Sequence, residues 1–277
     1  GSGDSGQAVE WLTKAANEEH SAAQYVLGKL YQDGVYFNKD MDQAMKWFRA
    51  AAELGNEYAA YRMGCLLLLG EEIPKDVEAA VKWLSLSAEK GNPYAQYRLG
   101  MLYLKGEEYS PQVEVAMKWL QQAAEQKNEW AFYQLGKLYL SGEHVTKNVE
   151  TAVHYLGLCA EKGNQYAQYV LGKLYLCGRD VSRDREKAVE YLTASAEQGN
   201  LYASFLLEHL YAYQDPSLFL AATRLLHHLE KLFCEEVQRP MEMKRYQIDR
   251  KRRRKLLEKK QAQGHHREDQ EPAQGIY

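Results

Sequence analysis

With 277 residues, 45% of them hydrophobic and 26% charged, the chain has the composition of a folded, soluble protein. Six prolines and no long apolar run exclude collagen-like, disordered and membrane-spanning readings of its body. The net charge of −3 hides a division: between Lys244 and Lys260 ten Lys or Arg stand against two acids, leaving 25 basic and 36 acidic residues elsewhere, a balance of about −11.

The opening Gly1-Ser2-Gly3-Asp4-Ser5-Gly6 has no basic stretch followed by an apolar one, so no signal peptide is read there. Residues 1–4 read as a linker or cloning scar, and the natural N-terminus is expected upstream. Residues 5–17 read as the second helix of a repeat whose first helix is absent. From there a phrase returns every 36 residues, carrying Gly28, Gly64, Gly100, Gly136 and Gly172, then Gly34, Gly70, Gly106, Gly142 and Gly178. Trp11, Trp47, Trp83, Trp119, Tyr155 and Tyr191 keep the same step, as do Ala16, Ala52, Ala88, Ala124, Ala160 and Ala196. A fixed period of this length marks a stacked solenoid, in which each unit covers only its neighbours.

The unit from Asn92 to Asn128 shows why each repeat should be helix, turn, helix. Asn92 can accept from the unpaired N–H groups of a first turn, and Pro93 suits the next position. Ala95, Leu99 and Leu102 make one apolar stripe, and Gly106 supplies the left-handed residue that ends the helix. A second stripe runs through Ala116, Trp119, Leu120, Ala123 and Ala124. Gly100 lies mid-helix, where glycine costs up to about 1 kcal/mol against alanine, so its recurrence implies a close approach of the partner helix. The pattern decays at Glu208 and Gln214, and Pro216 to Val237 reads as a helix capping the last apolar face, with residues 240–277 as a basic, flexible or partly helical tail.

The phrase Gly-Asn-x-Tyr-Ala-x-Tyr-x-Leu-Gly-x-Leu-Tyr-x-x-Gly, joined to Ala-x-x-Trp and Ala-Glu-x-Gly, resembles the Sel-one-like repeat, a relative of the tetratricopeptide repeat, over residues 5–213. The resemblance implies an all-α, right-handed solenoid serving as an adaptor or scaffold that binds a protein or peptide. It also implies that the first helices line the concave groove. Two first-helix columns vary in chemistry there: Val26, Arg62, Arg98, Gln134 and Val170, and three residues on, Lys29, Cys65, Met101, Lys137 and Lys173. Lys29, Arg62, Arg98, Met101, Gln134, Lys137 and Lys173 are the candidate partner contacts, with plain solvent exposure as the alternative. The tyrosine rows Tyr58, Tyr94, Tyr166 and Tyr202, with Trp130, and Tyr61, Tyr97, Tyr133 and Tyr169 fit packing between repeats better than recognition. Glu53, Glu89, Glu125, Glu161 and Glu197 read as a solvated edge.

Catalytic patterns are absent. Ser87-Ala-Glu-Lys90 matches Ser-x-x-Lys without the partner motifs of the acyl enzymes that use it. His227-His228 and His265-His266 do not chelate from one helix face, no Cys-x-x-Cys occurs, and no phosphate loop is present. No enzyme activity, metal or cofactor is expected of the chain itself. Four cysteines out of register with one another suggest reduced thiols and a cytoplasmic setting.

The tail residues Arg250, Lys251, Arg252, Arg253, Arg254, Lys255, Lys259 and Lys260 could contact DNA or an acidic surface. Ala221–His228 and Asp249–His265 resemble the end of Gram-positive mobilisation relaxases, some of which carry such repeats after the nickase domain. That resemblance implies a C-terminal accessory domain of a longer enzyme, and no catalytic residue carries over.

Overall fold

The computed structural model describes residues 3–106 and 111–210. The chain divides into two compact units, Gly1–Glu208 and His209–Tyr277, and every described helix lies in the first. The capping helix and tail read from the sequence lie outside the described residues. Those residues form twelve α-helices and no strand: α1 (Gly3–Asn17), α2 (Ser21–Asp33), α3 (Met41–Glu53), α4 (Glu57–Leu69), α5 (Val77–Glu89), α6 (Pro93–Lys105), α7 (Val113–Glu125), α8 (Glu129–Ser141), α9 (Val149–Glu161), α10 (Gln165–Cys177), α11 (Arg185–Glu197) and α12 (Leu201–Glu208). The even-numbered first helices alternate with the odd-numbered second helices in an all-α solenoid.

Local chemistry sets the ends. Asn56, Asn92, Asn128, Asn164 and Asn200 each accept from a backbone N–H of the turn they open, satisfying donors that a helix start leaves bare. Asp40, Asp76, Asn148 and Asp184 do the same for α3, α5, α9 and α11. The N–H of Lys187 holds the Asp184 carboxyl below its ordinary range. The first helices α2 to α10 end on glycines with φ between 65° and 72°, where a side chain would be strained. The turn after each second helix also needs positive φ, and there Glu19 and Lys127 take the place that Gly55, Gly91, Gly163 and Gly199 occupy in the other turns.

The mid-helix glycines have the packing role that their recurrence implied. A Cβ at Gly100 would stand 2.6 Å from Leu120 Cγ and 3.2 Å from the Ala116 carbonyl oxygen. Gly64, Gly136 and Gly172 meet Leu84, Leu156 and Leu192 in the same way, and Gly28 meets Phe48. The missing methyl is thus filled by a large side chain of the second helix, and Phe48, Leu84, Leu120, Leu156 and Leu192 are fully buried. In α6 the apolar stripe is shifted from the expected one: Ala95, Leu99 and Leu104 are buried while Leu102 is half-buried.

Repeats stack through the tryptophan column. Trp47 packs on the cluster of Ala16, Ala23 and Leu27, Trp83 on that of Phe48 and Met63, and Trp119 on that of Leu84 and Leu99, each cluster joining the preceding second helix to the residue's own first helix. Trp11, first of the column, is 70% exposed. Buried glutamines add polar ties: Gln24, Gln96 and Gln168 donate to the carbonyls of Ala16, Ala88 and Ala160 at 3.0, 3.1 and 3.2 Å.

Two glycine substitutions should act with opposite signs. Gly100→Ala gains helix propensity but overpacks against Leu120, and should lower stability by about 1–3 kcal/mol. Lys127→Gly relieves a left-handed residue and should raise stability by about 0.5–1 kcal/mol. Urea denaturation midpoints of the full chain would check both.

Candidate functional site

The first helices carry two aromatic rows that meet between repeats. Tyr25 contacts Tyr58 at 6.3 Å between ring centres, Tyr61 contacts Tyr94 at 6.2 Å, Tyr133 contacts Tyr166 at 6.4 Å and Tyr169 contacts Tyr202 at 6.0 Å. Every pair is tilted, with interplanar angles from 41° to 53°, an arrangement that aromatic quadrupoles favour. The rows therefore pack as the sequence suggested, yet Tyr58 and Tyr94 stay 54% and 46% exposed. One row does both things: it ties neighbouring first helices together and presents aromatic surface to solvent.

The candidate residues fall on this same face. Lys29, Lys137 and Lys173 lie one turn beyond Tyr25, Tyr133 and Tyr169, with each ammonium 5.8, 5.7 and 5.9 Å from its ring centre. Such a contact orients the cation without neutralising it. Arg62 donates from Nε to Gln32 Oε1 at 3.0 Å, bridging α4 to α2, and Gln32 in turn donates to Glu72 at 3.4 Å. Glu72 also pairs with Lys39. Arg98 and Gln134 are half-buried, and Met101 packs on the core cluster around Leu120 and Leu135. Gln32 was not singled out from the sequence, although Tyr and Lys four residues apart on three helices were legible there.

Burial raises the pKa of Tyr25, partly offset by Arg62, so its phenol stays neutral at physiological pH. Tyr166 is raised by burial as well.

Other residues named from the sequence take structural roles. Ser87 is buried and donates to the Glu57 carbonyl at 2.7 Å, closing its own hairpin. Ser195 does the same to Gln165 at 2.7 Å and the Cys159 thiol to Glu129 at 3.3 Å. Glu53, Glu89, Glu125, Glu161 and Glu197 are all exposed. Two open depressions of about 410 and 530 Å³ lie along α3 and beside α1, and neither includes a residue of the first-helix columns. Among the described residues no group of three or more His, Cys, Asp or Glu could hold a metal, and no helix is long and apolar enough to cross a membrane. The basic tail, Cys234 and both histidine pairs lie outside the described residues.

The hairpins, their glycine contacts and the aromatic face define an α-solenoid of tetratricopeptide-like repeats. The Sel1 repeat family model matches residues 2–20, 21–56, 57–92, 93–128, 131–164 and 165–200, and the chain belongs to that family. Proteins built from this repeat are in general protein-interaction scaffolds. The chain is similar to a Sel1 repeat protein from Oxalobacter formigenes, at 31% identity and a TM-score of 0.63, over 70% of this chain and 77% of that one. It is also similar to c5321, a protective antigen of uropathogenic Escherichia coli with an SLR fold, at 29% identity and a TM-score of 0.56. That likeness covers 75% of this chain but only 53% of the antigen. No curated protein matches.

Burial pushes the Cys159 thiol up to about 12 from an ordinary 9.0. A raised folded pKa gives stability that is intact below the unfolded value and is lost as pH climbs through the folded one. The window therefore opens near pH 9 and closes near 12. Cys159→Ser should keep the hairpin bond, as Ser87 and Ser195 do, and remove that part of the alkaline loss. Melting curves of both chains from pH 8 to 11 would check this.

Proposed function

We propose that the chain is a non-catalytic scaffold that binds a protein partner along the first-helix groove. The observation that carries this reading is the exposed pair Tyr58 and Tyr94 on the same face as Tyr25, Tyr133 and Tyr169, whose rings carry lysines, since Tyr is among the residues on which binding energy concentrates. Lys29, Arg62, Arg98, Met101, Gln134, Lys137 and Lys173 are its contact strip, with Met101 contributing from its core-facing position. Cys65, Cys159 and Cys177 are not joined in disulfides, which supports a cytoplasmic setting. A photo-crosslinking residue placed at Tyr97 should give adducts with a second protein in the cell of origin. The same residue at the exposed Gln121 of α7 should give few; equal yields from both faces would defeat the assignment.

A second reading comes from the sequence of the tail alone. Its basic run would let the chain serve as the accessory domain of a DNA-processing relaxase. Fluorescence anisotropy should then show duplex DNA bound by the full chain and not by one ending at Arg239; equal affinity, or none, rejects the tail as a DNA contact.

A further inference from the structure

The two variable columns of the first helices differ in residue type but not in charge count. α2 offers Lys29 beside Val26, α4 offers Arg62 beside Cys65, and α6 offers Arg98 beside Met101. α8 offers Lys137 beside Gln134, and α10 offers Lys173 beside Val170. The cation moves between columns, yet each of five successive first helices supplies one, none supplies two, and no carboxylate enters either column. The acids of these helices, Asp33, Glu57 and Glu129, sit at the last or first residue of their helix. Taken whole, α2, α4, α6, α8 and α10 carry six Lys or Arg and three acids, whereas α3, α5, α7, α9 and α11 carry six and eleven. One face of the solenoid is basic and the other acidic.

Resting on the scaffold reading, we propose that the groove's ligand is an acidic segment in extended conformation, with a carboxylate at about every third residue. Packed helices lie about 8–10 Å apart, so cations one per first helix form a row with about that step. An extended peptide advances about 3.3 Å per residue, so three residues cover the same distance. Tyr58 and Tyr94, exposed one turn before Arg62 and Arg98, offer flat surface to the residues between the acids. A nucleic-acid duplex fits less well, since each of its strands carries a charge about every 3.4 Å of axis and would outnumber the cations about threefold.

The test uses the full chain and a fluorescein-labelled 15-residue peptide with Glu at every third position and Ser or Ala between. Its Gln counterpart and a 15-nucleotide oligo-dT are the comparisons. The Glu peptide should bind at least tenfold more tightly than the Gln peptide, and its affinity should fall as salt rises. Lys29→Glu, Lys137→Glu and Lys173→Glu combined should erase that preference, with Lys→Gln at the same positions giving a smaller loss in a correctly folded chain. Replacing Arg250, Lys251, Arg252, Arg253, Arg254 and Lys255 with serine should leave the preference intact. Equal affinities for the Glu and Gln peptides, tighter binding of oligo-dT, or a preference that follows the tail would each overturn the inference. Crosslinks from Tyr97 judge the scaffold reading separately. If they appear while Glu and Gln peptides bind alike, only the charge inference falls.

Discussion

Each hairpin of this protein depends on one contact, the insertion of a second-helix leucine or phenylalanine into the space where a first-helix glycine has no side chain. Glycine in mid-helix costs up to about 1 kcal/mol, while burying a leucine or phenylalanine returns about 1.5–3 kcal/mol, so the exchange favours the folded hairpin. At Gly100 the room is so tight that a single methyl would reach within 2.6 Å of Leu120. Because the helices are set this close, the buried donors Ser87, Cys159 and Ser195 reach carbonyls on the partner helix.

Stacking then turns a local hairpin into a surface. The aromatic residues Trp83 and Trp119 pack on cores shared by their own first helix and the second helix before it, and each opening asparagine holds its own helix start. Asn56 and Asn128 also reach the first-helix residues Ser21 and Pro93 one repeat back, at 3.4 Å each. The units repeat with little change in geometry, so any property carried once per first helix becomes a row. Tyrosine and a cation are both carried that way. Function in such an array comes less from one assembled pocket than from regular spacing along an extended face.

The tyrosines show why packing and recognition need not be rival assignments. A ring has two faces and an edge; Tyr25 gives part of itself to Tyr58 while Lys29 lies over its face. A residue fixed by its neighbours loses little entropy when a partner arrives, so packing on one side preorganises recognition on the other.

Much of this was legible in the sequence, because caps and helix ends are local. An asparagine accepts from the turn it opens and a left-handed glycine closes the helix it follows, whatever lies beyond. The 36-residue step likewise disclosed the stack, since only a repeating fold needs a repeating sequence. What the sequence could not give was anything decided between helices. The shift of the buried stripe in α6 from Leu102 to Leu104, the tie of Gln32 to Arg62, and the hydrogen bond that makes Ser87 a structural residue all join positions 30 or more residues apart or depend on what lies opposite. Local propensity determined where each helix begins and ends; the close approach of neighbouring helices decided which side chains face the core, which face one another, and which are left to face a partner.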